Sequence, residues 1–276
     1  MKLNNNNIYN VDCLDGMKLL PEQSINMIIT SPPYAEQRKK TYGGIPEDKY
    51  IEWFIPLVKE MERILKKDGS FFLNIKEHTK DGFRSTYVME LVLEIIKQTN
   101  FKLVDTIAWT KIGYPGKFNN RFKNAWEPIY HFSLDKNIKF FPLEVGEPLK
   151  NPQWYKRKRE KDITQNGSGF SRPDYRDMEN IQIARPSNHI HIKNVVNQFT
   201  ENRWHSATYP VELTDFFIKA FSEENDIILD PFMGSGTTAI SALKNNRNYI
   251  GYELSSEYFL LLEDRILNFK AKNSIL

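Results

Sequence analysis

The chain has 276 residues, 40% of them hydrophobic and 26% charged, the composition of a folded globular protein with enough length to bury a substantial core. Cys13 is the sole cysteine, which excludes an intramolecular disulfide and a cysteine zinc cluster; no apolar run approaches a bilayer span and Met1-Lys2-Leu3 leads into Asn4 to Asn7 without a signal-peptide core, so a cytoplasmic protein without membrane contact is expected. The formal charge is only +3, yet residues 111–200 carry sixteen Lys or Arg against nine Asp or Glu, +7 locally and −4 elsewhere, as in a chain that turns one part toward a polyanion or simply keeps a solvated basic face there.

In chain order, the Asn run is a low-complexity lead-in, and Ile8 to Val11 predicts a short strand ending at Asp12, a turn or helix-cap carboxylate beside Cys13. Gly16 to Leu20 predicts a helical turn, and Pro21 to Ser24 leads into the apolar run Ile25, Met27, Ile28, Ile29, a buried strand. That strand ends at Thr30-Ser31-Pro32-Pro33-Tyr34. Two adjacent prolines donate no backbone hydrogen bond and hold φ near the polyproline value, so the carbonyls before and between them can accept from another group. With the Ser31 hydroxyl on one side and the flat Tyr34 ring on the other, the pentapeptide offers acceptors for an amino group and a face for a planar ring. The other reading is a stiff proline turn closing the strand.

Arg38, Lys39 and Lys40, followed by Thr41-Tyr42-Gly43-Gly44, form a cationic loop suited to phosphates, or an ordinary surface loop. Tyr50, Phe54, Leu57, Val58, Met61, Ile64 and Leu65 recur at helical spacing and predict an amphipathic helix that stops before Gly69, with Pro56 kinking it or marking its true start. A strand over Gly69 to Ile75, a helix over Thr86 to Gln98 and strands over Phe101 to Trp109 and Glu127 to Ser133 follow. Alternation of strands and helices predicts parallel pairing in a sheet covered on both faces, and Trp109 is read first as a core residue.

Residues 135–200 lose this periodicity, broken by Pro142, Pro148, Pro152, Pro173 and Pro186. Within them Trp154-Tyr155 precedes Lys156, Arg157, Lys158 and Arg159, a mixture able to neutralise phosphates while neighbouring side chains read base edges. His189 and His191 have no further ligand nearby in sequence and are read as ordinary strand or loop residues, with no metal expected. Pro210 suits a helix start, Val211 to Phe221 supply an apolar helical face, and Ile227 to Leu229 predict a short buried strand. Asp230-Pro231-Phe232-Met233 then leads into Gly234-Ser235-Gly236-Thr237-Thr238-Ala239, which satisfies a dinucleotide-type glycine fingerprint, and Glu253 follows at the distance of a ribose-binding acid. Asp230 beside the glycine turn would repel a pyrophosphate and welcome an ammonium, which favours S-adenosyl-L-methionine over a nicotinamide cofactor.

Thr-Ser-Pro-Pro-Tyr at 30–34 and Leu-Asp-Pro-Phe-Met-Gly-Ser-Gly-Thr-Thr at 229–238, in that order and with a basic stretch between them, resemble the catalytic and cofactor motifs of the beta class of DNA amino-methyltransferases of restriction–modification systems. The resemblance covers most of the chain outside residues 135–200. It implies a mostly parallel, doubly wound, Rossmann-like α/β sheet, split into a catalytic half at 1–134, a target-recognition insert at 135–200 and a cofactor-binding half at 201–276. It also implies S-adenosyl-L-methionine as cofactor, double-stranded DNA as partner and a cognate restriction endonuclease acting on the same site. Residue by residue, it assigns Ser31, Pro32, Pro33 and Tyr34 to the reacting base, and Asp12, Cys13, Asp230, Phe232, Gly234, Ser235, Gly236, Thr237, Thr238 and Glu253 to the cofactor, with Asp230 meeting the methionine ammonium and Glu253 both ribose hydroxyls. Trp109-Thr110-Lys111 resembles a family motif near the extruded base. Ser at the head of the catalytic motif is the form of cytosine-N4 enzymes, adenine-N6 enzymes usually carrying Asp. An adenine-N6 methyltransferase, a nicotinamide oxidoreductase and a non-catalytic DNA-binding module stay open as alternatives.

Overall fold

The computed structural model describes residues 4–36, 44–111, 120–148, 183–193 and 209–273. Its frame is an eight-stranded sheet. In chain order the elements are β1 (Asn7–Tyr9), α1 (Cys13–Lys18), β2 (Ile25–Thr30), α2 (Tyr50–Ile64), β3 (Leu65–Asn74), a hairpin of β4 (Thr79–Lys80) and β5 (Phe83–Arg84), α3 (Tyr87–Gln98), β6 (Lys102–Thr110) and β7 (Trp126–Ser133). Then come β8 (Glu147–Pro148), β9 (Ile183–Ala184), β10 (His189–His191), α4 (Val211–Phe221), β11 (Ile227–Asp230), α5 (Thr237–Lys244), β12 (Asn248–Tyr252) and α6 (Ser256–Asn273).

The sheet order is β1-β12-β11-β2-β3-β7-β6-β10, and every pairing is parallel except those of β7, which runs antiparallel to both β3 and β6. Side chains along the strands alternate between two cores, as the period of two requires. Ile28, Phe71, Leu73, Leu229 and Ile250 pack under α1, α2 and α3, while Met27, Phe72, Ile228 and Tyr249 pack under α4, α5 and α6. Ile25 shares the first core with Ile28 despite the odd spacing because the β2–β3 register shifts between Ile25 and Met27. The fold is therefore a doubly wound, mostly parallel α/β sheet.

Several boundaries depart from the expectations for physical reasons. The first strand stops at Tyr9 and Val11 is exposed, because Asp12 already caps α1, its Oδ1 accepting the Leu14 N–H at 2.8 Å. That cap also starts the helix at Cys13 rather than Gly16. Helix α2 runs through Pro56, which lies on the exposed face with Glu52, the residue whose carbonyl loses its helical donor. Strand β3 begins at Leu65, directly after α2 and four residues before Gly69, through the charged Lys66, Lys67 and Asp68. Trp109 is buried, as the core reading expects, and its indole donates to the Ile192 carbonyl at 2.9 Å. Inside the aperiodic stretch, His189–His191 adds to the sheet as an edge strand beside β6, and Phe140 stacks on Phe221 of α4, so these described parts pack onto the central body.

Candidate active site

Four parallel strands bring the motif residues to one edge of the sheet. Ile228 pairs with Met27 and Leu229 with Ile28, so the loops after β2 and β11 leave side by side, while Tyr9 pairs with Tyr252 and places Asp12 and Glu253 at the neighbouring strand ends. From β2 the chain proceeds to β3 on one side, and from β11 to β12 on the other. This is a topological switch point, where the carboxyl ends of parallel strands open a crevice.

At the centre of that edge lies Asp230, fully buried. Its Oδ1 accepts from Thr30 Oγ1 at 2.8 Å and from the Phe232 N–H at 3.0 Å. Its Oδ2 lies 2.6 Å from Thr238 Oγ1 and 3.0 Å from the Tyr209 hydroxyl, and those two hydroxyls are 2.8 Å apart. Burial pushes the carboxyl up from the ordinary Asp range against the pull of these donors, and burial followed by the Asp230 charge pushes the Tyr209 phenol up as well. Both oxygens are thus engaged inside the protein, and Asp230 ties β2, β11, α5 and Tyr209 together beneath the loops.

The glycine loop is built around a second buried carboxylate. Gly234 and Gly236 have φ of 54° and 79°, a left-handed backbone that a side chain would strain. Glu253 Oε2 accepts the Gly234 N–H at 3.0 Å and Oε1 accepts the Ser255 N–H at 2.8 Å. Glu253 therefore braces the loop from below, a task beyond the ribose contact expected of it, and a carboxylate has acceptor positions for more than these two donors. Asn10 Nδ2 donates to the Glu253 carbonyl at 2.7 Å. Arg265 of α6 donates to the Ser235 carbonyl at 2.6 Å, its guanidinium pushed down to about 10 by burial. Ser235 and Thr237 approach through their hydroxyls at 3.2 Å, and Phe232 meets Trp53 of α2 with ring centroids 5.9 Å apart. Cys13 is buried at the start of α1, and burial and then the Asp12 charge push its thiol up.

The proline loop directly follows β2. Tyr50 of α2 donates to the Pro33 carbonyl at 2.8 Å, so that carbonyl is already taken, while Pro32 is buried and Ser31, Pro33 and Tyr34 are partly exposed. Tyr34 packs against the first core. Ser31 to Tyr34 thus stand at the end of the strand whose Thr30 binds Asp230. The structure brings the two motif loops together across that one carboxylate. Arg38, Lys39, Lys40, Lys156, Arg157, Lys158 and Arg159 lie outside the described residues.

Sequence reading missed Tyr209, Tyr50, Trp53 and Arg265. None belongs to a recognisable motif, and each reaches the edge from a helix or from the lead-in to one.

The model of the DNA methylase family that groups N6 and N4 enzymes matches residues 25–264. Among curated proteins, the type II methyltransferase M.PvuII of Proteus hauseri is 28% identical over 290 residues, covering 96% of this chain and 84% of its own length. The solved PvuII DNA methyltransferase, described as cytosine-N4-specific, superposes with a TM-score of 0.72 at 24% identity, covering 98% of this chain and 93% of that one. The M1.HpyAVI–SAM complex superposes with a TM-score of 0.58 at 23% identity, covering 94% and 98%.

Proposed function

This chain belongs to the DNA methylase family, and we propose that within it the chain is a site-specific methyltransferase acting on the exocyclic N4 of cytosine in duplex DNA. Membership makes it a DNA methyltransferase that uses S-adenosyl-L-methionine; the choice of cytosine rests on Ser31 at the head of the proline loop and on likeness to the cytosine-N4-specific PvuII enzyme. Its place is the cytoplasm, as the modifying partner of an endonuclease that cleaves the same site.

The observation that carries the reading is the juxtaposition of two unlike loops over Asp230: one with carbonyl and hydroxyl acceptors and a ring, the other with left-handed glycines over Glu253. The glycine loop fits S-adenosyl-L-methionine, since its backbone can approach a ligand where a Cβ would intrude and Glu253 sits at the loop's base. Asp230, Phe232, Gly234 to Thr238 and Glu253 would hold the cofactor, with Asp12 and Cys13 flanking it. When bound, the cofactor supplies an electrophilic methyl on a sulfonium.

The exocyclic nitrogen is a weak nucleophile because its lone pair is delocalised into the ring. Ser31 Oγ and the Pro32 carbonyl accept its two N–H groups and so favour the pyramidal nitrogen on which positive charge develops. Tyr34 stacks on the extruded base and returns part of the few kcal/mol that unstacking costs. Transfer of labelled methyl to unmethylated duplex DNA, followed by digestion and nucleoside separation, tests this. Label in N4-methylcytosine is expected; label in N6-methyladenine overturns the cytosine assignment, and unlabelled DNA overturns the function.

A further inference from the structure

Beside the proline loop, the same edge of the sheet carries a second surface that the assigned site does not use. Thr30 pairs with Leu73, so the chain after β3 leaves next to the proline loop and runs through Lys76 into the β4–β5 hairpin. Strand β7, being antiparallel, starts at this edge too, and Lys76 Nζ donates to the Trp126 carbonyl at 2.6 Å. The base of the hairpin rests on the residues that brace the proline loop. The Tyr87 hydroxyl donates to the Lys76 carbonyl at 3.0 Å, and the Tyr87 ring meets that of Tyr50, the donor to Pro33, with centroids 5.0 Å apart.

Asp81 and Gly82 form the hairpin turn with φ of 51° and 84°, the two-residue turn that suits the twist of paired strands. The hairpin is then clasped at two points by the segment before β7. Asn120 Nδ2 donates to the Gly82 carbonyl at 3.1 Å, and Arg84 Nη2 donates to Asn124 Oδ1 at 2.9 Å. Phe83 lies between the hairpin's two clasped residues and Phe122 between the segment's two. The two residues are 78% and 95% exposed, an unusual cost for two phenylalanines on clasped segments, and Trp126, at the start of β7, is half-exposed.

The two clasped segments carry Lys76, Lys80, Arg84, Arg121 and Lys123 against Glu77, Asp81 and Glu127, and Lys80 and Lys123 are exposed close to Phe83 and Phe122 along the chain. Glu77 is paired with Arg84, and Glu127 with Lys111 at 2.6 Å. A second copy of the chain would set these cations against their own kind, whereas aromatics interleaved with cations match stacked bases between phosphates. We propose that Phe83 and Phe122 form a clasped aromatic wedge that packs on the base stack of the bound duplex beside the extruded nucleotide, with Lys80 and Lys123 on the flanking phosphates. The placement of the duplex along this edge rests on the function proposed above.

The test is filter binding of short fragments of unmethylated phage DNA across a salt series, with methyl transfer to the same fragments measured separately. Phe83→Ala with Phe122→Ala is expected to weaken binding about tenfold or more without changing the salt slope, because stacking rather than charge is lost. Phe83→Trp with Phe122→Trp should restore it. Lys80→Ala with Lys123→Ala should instead reduce the slope by about two. Both phenylalanines are exposed, so an unchanged melting temperature is expected. Parental affinity and slope in the alanine pair, or a parental protein that binds no duplex, would overturn the wedge. A parental protein that binds DNA through these residues yet transfers no methyl would overturn the methyltransferase reading and leave the wedge standing.

Discussion

The loops after β2 and β11 leave adjacent strands at the same edge and are made rigid by opposite means. The first is stiffened covalently, by two prolines, and anchored by one phenol, Tyr50, on the Pro33 carbonyl. The second contains glycines with left-handed φ and is anchored through the Gly234 N–H by a buried carboxylate, Glu253. Each choice suits the polarity of what the loop is assigned to meet. Prolines leave carbonyls available to receive N–H donors, while glycines let the backbone come close to a bulky ligand. Asp230 binds both loops, through Thr30 on one side and the Phe232 N–H on the other.

Removing that shared anchor should have the largest effect. Asp230→Ala removes the acceptor of the Thr30 hydroxyl, the Phe232 N–H and the Tyr209–Thr238 hydroxyl pair, of which one member can still donate to the other, and at about 1–3 kcal/mol for each buried group left unsatisfied the loss should reach about 3 kcal/mol in urea unfolding. A variant within about 1 kcal/mol of the parent would show that the loops are held independently.

Next in size is the division of labour. Tyr34→Ala removes a stacking face worth about 1–3 kcal/mol, so methyl transfer should slow by roughly one to two orders of magnitude with cofactor affinity unchanged. Ser31→Ala should slow transfer as well, and the two losses need not add because both residues hold one base. Glu253→Ala should act on the other side, weakening S-adenosyl-L-methionine binding about tenfold in calorimetric titration, since a hydrogen bond to a charged group contributes about 1.5–3 kcal/mol. Smallest is Tyr50→Phe, which frees the Pro33 carbonyl at a cost of about 1 kcal/mol. It should lower turnover a few-fold in a steady-state assay, whereas an unchanged rate would mean that the prolines alone fix the loop.

The sequence showed the parts of this comparison that are contiguous. Apolar runs ending in Thr30 and Asp230 placed both loops at strand ends, and glycine spacing with Glu253 at its distance marked the second loop. What it did not show depends on residues meeting across the fold. That Asp230 also ties Thr30, Tyr209 and Thr238 together is visible only in the fold, and Tyr209 precedes its helix without any motif. The edge strand His189–His191 is too short for a period-two pattern, and the charged start of β3 at Lys66 to Asp68 hides a strand that continues straight out of a helix. The clasp of Phe83 and Phe122 joins segments almost forty residues apart in sequence.

The most direct test of the two-loop account is single-turnover methyl transfer to unmethylated duplex DNA by Tyr34→Ala and Glu253→Ala at rising S-adenosyl-L-methionine. The account predicts that saturating cofactor brings Glu253→Ala back to near the parental rate and leaves Tyr34→Ala roughly ten- to hundredfold slow. Recovery of Tyr34→Ala at saturation, or a persistent equal defect in both variants, would contradict the assignment of base and cofactor to separate loops.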